Sequence, residues 1–357
     1  MLVASAQPAL AAADLAKAAA EQNIKKVDKL LAAGAVIDES DSESRTAFFH
    51  AAARGDLDLM QKLSDKGAAV DHRDKTGATP LLAALRNPAS PAPVIDFLLA
   101  KGADINAADQ GGRTPLMEAV LRAPEVLDTD GQVALVAALL KAGADPNRVD
   151  VSGAAALHHA AYVGEPRKVL ELLLTATKDT SATTASGANV LMMAAQNHQR
   201  ANADYLMARG FRPMRIKTVA GDKPELAQDM SPRANALAGD WWGQYATRKG
   251  DPAAAREAFA AAAVDYEAAA AEARRLTTAY QVELVKDKQA RAGQRAAAGM
   301  ATVLTTALTL GAGYAFIYMP ALQDEVEQDE RAIASLTVET TESTARAKAL
   351  HAQLAAN

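Results

Sequence analysis

The side chains best suited to proton transfer or metal binding near neutral pH are the six histidines: His50, His72, His158, His159, His198 and His351. None falls in a ligand or general-base spacing, and the HExxH, GxSxG and P-loop patterns are all absent. His50, His158 and His159 sit inside apolar phrases at helical spacing, which predicts a structural, hydrogen-bonding role. The carboxylates are scattered over turns and polar helix faces, so no glycosidase-like pair stands out. Cysteine is absent, which excludes disulfides, thiolate zinc sites, iron–sulfur clusters and a cysteine nucleophile. The adjacent Trp241 and Trp242 suit a sugar or partner platform, or the packing of a domain junction; the junction reading is preferred. The sequence therefore predicts no catalytic residue, no metal and no cofactor. It points away from an enzyme and toward recognition.

The elements that would carry recognition follow from size and composition. A chain of 357 residues suggests two or three domains. Half of it is apolar but only 4% is aromatic, so the apolar share is mostly Ala, Leu and Val, a helix-forming mixture. The net charge of −5 argues against nucleic acid as a partner, because phosphate contacts need clustered Lys and Arg.

Internal repetition is the strongest signal. A helix-ending phrase recurs as KLLAAGAVID around Gly34, KLSDKGAAVD around Gly67, FLLAKGADIN around Gly102, ALLKAGADPN around Gly143 and YLMARGFRP around Gly210, with Thr177 filling the gap. These positions lie 33, 35, 41, 34 and 33 residues apart. A second phrase precedes most of them: TAFFHAA from Thr46, TPLLAAL from Thr79, TPLMEAV from Thr114, AALHHAA from Ala155 and NVLMMAA from Asn189. Thr-Pro suits the first turn of a helix. The later Gly suits a helix end with positive φ. One such helix pair cannot cover its own apolar face, whereas stacked pairs can.

The pattern resembles the ankyrin-repeat family over residues 12–213. The resemblance implies an all-α solenoid of about six repeats with protein partners. Two stretches depart from it, NPASPAP at 87–93 and APEVLDTDGQ at 123–132, and both are expected to lengthen the turn between paired helices. The resemblance also implies a concave surface made of turn tips and first-helix faces. The matching tip positions are Arg73, Asp74 and Lys75, then Asp109, Gln110 and Arg113, then Arg148, Asp150 and Val151. Arg54 and Tyr162 follow first-helix phrases at the groove.

The second half is a different kind of chain. Residues 214–240, with Pro213 before them, read as a linker with one short helix. Residues 241–295 read as a helical hairpin, and Gly243, Gly250, Ala255, Phe259 and Ala262 match one tetratricopeptide-like unit. No charged residue occurs from Ala296 to Gln323. As a helix, 296–319 is long enough to cross a bilayer, so 296–320 is expected to be a single transmembrane helix with the lipid bilayer as a partner. Ala307, Gly311 and Ala315 form a small-residue face suited to helix packing in lipid. Residues 271–295 carry six basic and three acidic groups, and 320–357 carry three basic and seven acidic. The positive-inside rule then places the repeats on the cytoplasmic side and the tail, 321–357, outside. That tail reads as one more helix. Leu322, Val326, Ile333, Leu336, Leu350 and Leu354 form a seam interrupted by Asp329, Thr340 and Ser343, suited to pairing with another helix, including its own copy.

Residues 1–11 read either as a disordered tail or as the remnant of an export signal, which would place the repeats in the periplasm. The leading functional expectation is a membrane-tethered protein-binding module: a scaffold, an adaptor or an inhibitor. Two alternatives stay open. One is a membrane-inserting or pore-forming effector regulated by the repeats. The other is a soluble helical assembly subunit with 296–319 buried between protomers.

Overall fold

The computed structural model describes residues 14–87, 92–122, 129–164, 167–213, 232–293 and 325–356. They divide into two compact units: Met1–Ala160 with Glu165–Thr180, and Ala161–Gly164 with Ser181–Asn357. Every regular element among the described residues is a helix. The expected six helix pairs are present. They are α1 (Asp14–Ala20) with α2 (Ile24–Ala32), α3 (Ala47–Arg54) with α4 (Leu57–Ser64), and α5 (Pro80–Arg86) with α6 (Ala92–Ala100). The later pairs are α7 (Pro115–Leu121) with α8 (Thr129–Lys141), α9 (Ala156–Val163) with α10 (Arg167–Ala176), and α11 (Val190–Gln196) with α12 (Arg200–Ala208).

The recurring phrases work as their chemistry suggests. Thr46, Thr79 and Thr114 are N-caps whose hydroxyls accept from the backbone N–H of Phe49, Leu82 and Met117. Asn189 does the same for Met192 at 3.0 Å. In the fifth unit Ala155 stands where the Thr would be, and its N–H donates to His158 Nδ1 at 3.2 Å. The His158 ring thus satisfies the Ala155 N–H at the start of α9, while the His158 N–H goes to the Ala155 carbonyl at 2.9 Å. The phrase-ending glycines Gly34, Gly67, Gly102, Gly143 and Gly210 all have φ between +79° and +97°. A methyl group at any of them would meet nothing within 4 Å, so backbone conformation and not space selects glycine there. Thr177 replaces that glycine; its N–H donates to Leu173 O at 2.8 Å and the residue is buried.

The two long stretches behave differently from each other. Residues 88–91 fall between α5 and α6 and lie outside the described residues, as do 123–128. Residues 129–132, expected as turn, instead form the first turn of α8. Gln132 explains why. Its buried amide donates to the carbonyls of Ala119, Val120 and Arg122 at 2.9–3.1 Å, satisfying the C-terminal end of α7.

In the second unit, α11 and α12 pack on α13 (Pro232–Arg248), which is followed by α14 (Pro252–Gly293) and α15 (Glu325–Ala356). The linker expected to reach residue 240 is corrected, since a helix begins at Pro232. Proline suits the first helical turn, and the Ala-rich sequence after it favours helix. Gly239, taken as a linker residue, permits close helix approach: a Cβ there would lie 3.3 Å from that of Ala262. The α13–α14 hairpin forms, with Asp251 capping α14 through Ala254 N–H at 3.0 Å. However, α14 alone has 42 residues, more than a whole 34-residue tetratricopeptide unit, and α15 joins it as a third helix.

The three helices share one core of Ala236, Ala246, Ala255, Phe259, Ala262, Ala263, Tyr266, Ala347 and Leu350. On α15 the inward positions are Leu336, Thr340, Ser343, Ala347, Leu350 and Leu354, at alternating spacings of four and three. Thr340 and Ser343, read as interruptions of this seam, belong to it. The seam is covered by α13 and α14 of the same chain. Residues 1–11 and 296–320, including Ala307, Gly311 and Ala315, lie outside the described residues. Among the described residues no helix is long and apolar enough to cross a membrane.

Candidate protein-binding face

The turns that enter the first helices of the repeats are built around a carboxylate. Asp41, Asp74, Asp109 and Asp150 each donate a backbone N–H across the turn, to the carbonyls of Arg45, Ala78, Arg113 and Ala154, at 2.9–3.1 Å. Each also accepts the return N–H of the same residue on its side chain, at 2.9–3.0 Å. Each carboxylate takes a further side chain. His50 Nε2 lies 2.8 Å from Asp41, Arg45 Nε lies 3.2 Å from Asp74, and His159 Nε2 lies 2.9 Å from Asp150. Arg86 bonds to Asp109 and to the buried Glu118. Three of these carboxylates, Asp41, Asp74 and Asp150, are lowered. Burial alone would raise the Asp150 carboxyl, but hydrogen bonds from His159, Ser152 and Ala154 outweigh it and hold the group at about 2. Asp74 and Asp41 are lowered in the same way, burial being outweighed by hydrogen bonds from their own turns and from Arg45 and His50.

Successive tips are stitched by backbone hydrogen bonds at 2.9 Å. Lys75 N–H donates to Glu43 O, Gln110 N–H to Thr76 O, and Val151 N–H to Gly111 O. A parallel row joins the helix-ending turns. Asp38 accepts Ala69 N–H at 2.8 Å, Asp71 accepts Asp104 N–H at 3.1 Å, and Asn106 accepts Asp145 N–H at 2.8 Å. The last residue of three recurring phrases is therefore the stitch to the next repeat.

The tip residues sort into two groups. Asp74, Asp109 and Asp150 are turned inward with 2%, 11% and 8% side-chain exposure; they build the turns and are corrected as contact residues. Arg73 donates to Gly77 O and Ala108 O at 2.8 and 2.6 Å, Gln110 donates to Lys75 O at 2.9 Å, and Arg54 donates to Ala20 O. These three tie neighbouring repeats together while remaining exposed. Lys75, Arg148 and Val151 are exposed, with no side-chain hydrogen bond or ion pair among the described residues, and Arg113 is half-buried. Val151 is, among the described residues, the most exposed large apolar residue, at 77%. Tyr162 belongs to the second unit, is half-buried, and accepts from Asn197 Nδ2 at 2.8 Å through its carbonyl.

Sequence reasoning missed two features. Val149 and Val36 are also exposed apolar turn residues, at 51% and 67%. The first helices also carry a clamp at their ends: the side chains of Arg54, Asn87 and Arg122 donate to Ala20 O, Ala53 O and Asn87 O. Their regular spacing of 33 and 35 residues was the available signal. The tryptophans lie at a packing junction within the second unit. Trp241 is buried with the Arg200 guanidinium 5.1 Å from its ring centroid. Trp242 stacks on Tyr245 at 5.5 Å and meets Arg212 at 5.2 Å. Among the described residues no group of three or more His, Asp or Glu side chains is arranged to hold a metal ion.

Repeated helix pairs, capped and stitched at a common period, define a helical-repeat scaffold. A family model described as ankyrin repeats (3 copies) matches residues 15–109 and 126–216. The chain belongs to the ankyrin-repeat family. No curated protein matches it. Its repeats point to a protein–protein interaction module.

Proposed function

We propose that the chain binds a protein partner, without catalysis, through the tip row of its first unit, and that it does so while held at a membrane surface. The observation that carries the first part is the division of labour at the tips. Asp41, Asp74, Asp109 and Asp150 spend their polar capacity on rigidity, while Lys75, Arg148, Val149 and Val151 stand exposed on the loops so fixed. Exposed residues on a rigid scaffold are the usual carriers of recognition. Support for the membrane is the uncharged run from Ala296 to Gln323, with Tyr314, Phe316 and Tyr318 near one end. The six basic residues of 271–295 favour the cytoplasmic face. Holding the repeats there raises their effective concentration for partners on the same surface.

Fractionation of cells expressing the full chain and a variant lacking 296–320 tests the membrane part. The full chain is expected with membranes and the variant in the soluble fraction; membrane retention of the variant counts against it. The two long helices beside the uncharged run also suit a membrane-inserting effector. Release of dye from liposomes by the purified chain would favour that reading over the binding module.

A further inference from the structure

Side-chain contacts fix the directions of the last three helices. Ala246 and Ala255 lie beside the α13–α14 turn, and Ala236 and Tyr266 lie farther from it, in the same core. Those two helices therefore run antiparallel. Between α13 and α15, Arg233 meets Glu342 at 2.7 Å and Glu339 at 3.9 Å, and Asp240, two turns further on, meets Arg346 at 2.6 Å. Residue numbers rise together, so α13 and α15 run parallel. It follows that α15 is antiparallel to α14. His351 lies 3.0 Å from Glu267, which sets their register. Carried along both helices at their common rise, that register brings Glu325 beside the last turns of α14, which ends at Gly293. The chain leaves α14 and enters α15 at one end of the bundle.

The connection, 294–324, has 31 residues, and the uncharged run within it, 296–323, has 28. A single crossing of a bilayer would put α14 and α15 on opposite sides. It would part Arg346 from Asp240, Arg233 from Glu342, and Leu350 from the core around Phe259. Crossing and returning takes about 40 apolar residues, at roughly 20 for each passage. The run is too short for that.

Resting on the membrane reading above, we propose that the chain meets a lipid bilayer without crossing it. Helices α14 and α15 and the C-terminus stay on one side. This replaces the single-pass topology expected from the sequence, in which 321–357 lie across the membrane from the repeats.

The absence of cysteine makes the test direct. Ala260→Cys on α14 and Lys348→Cys on α15 change exposed positions outside the core. Each full-length variant is expressed in cells. Right-side-out and inverted membrane vesicles are then treated with a membrane-impermeant maleimide. Both cysteines are expected to label from the same side, with at least a tenfold preference. Labelling from opposite sides overturns the proposal while leaving the membrane reading intact. A chain wholly absent from the vesicles overturns both. As a second measurement, Glu267→Cys with His351→Cys is treated in vesicles with a short bifunctional thiol cross-linker. An intramolecular cross-link is expected, and its loss on membrane association, when it forms in detergent solution, contradicts the proposal.

Discussion

Arg346 grips Asp240 with two nitrogens, Nε and Nη2, each 2.6 Å from a carboxylate oxygen, across 106 positions of sequence. Asp240 is 4% exposed and also accepts from Gln244 at 3.0 Å, with the Tyr266 hydroxyl 3.5 Å away. One carboxylate on α13 thus ties together all three helices of the bundle. Burial, and then the Asp240 charge, push the Tyr266 phenol above its ordinary range, so tyrosine stays protonated and can donate.

Arg346→Ala leaves Asp240 buried without its cation. The expected cost is about 2–3 kcal/mol, at the upper end for hydrogen bonds to charged groups, because Arg346 is itself partly exposed. Urea unfolding of the full chain, followed by the fluorescence of Trp241 and Trp242, checks this. Replacing both partners with leucine is expected to cost less than Arg346→Ala alone.

Gly243 is set by space. A Cβ there would stand 2.6 Å from ring atoms of Phe259, inside any tolerable contact. Gly243→Ala is expected to destabilise the bundle by about 1–3 kcal/mol through overpacking. Gly243→Ala combined with Phe259→Leu should recover part of that loss. Thermal unfolding of the three variants decides it; an unchanged midpoint for the single variant would show that the helices are not so closely apposed.

Acid should loosen the repeats. The folded Asp150 carboxyl, at about 2, lies below its ordinary value of 3.8. A depressed carboxyl contributes stability that is full above the ordinary value and is lost as pH falls through the folded one. That contribution is about 2 kcal/mol at neutral pH. The stability of Asp150→Asn should be lower at pH 7 and less sensitive to acid between pH 4 and 2. Parallel curves for the two proteins would show that His159 and Ser152 do not hold the carboxylate as described.

The repeats were legible because their signals are local. A capping Thr, a Pro in the first turn and a Gly with positive φ each act within a few residues and recur at one period. His158 shows the limit: nothing in its phrase announces that its ring accepts the Ala155 N–H. The tips were half legible. Asp74 and Asp150 read as surface residues because turns are polar, yet a carboxylate between i+2 and i+4 N–H groups turns inward to satisfy them. The bundle was least legible. Its seams are alanine, threonine and serine, so hydrophobic contrast is small, and Ser343 looked like a break although it is 1% exposed. Pairing α15 with α14 and α13 depends on contacts about a hundred residues apart, such as Asp240–Arg346, which no local pattern records.

The most direct test of the binding face is photo-crosslinking in cells, with a reactive amino acid placed in turn at Lys75, Arg148, Val151 and, as a control on a second helix, Lys62. One protein adduct shared by the three tip positions and absent at Lys62 is expected, and Val151→Asp is expected to abolish that adduct without changing thermal stability. Adducts of equal yield at Lys62 and the tips, or an adduct untouched by Val151→Asp, would contradict this.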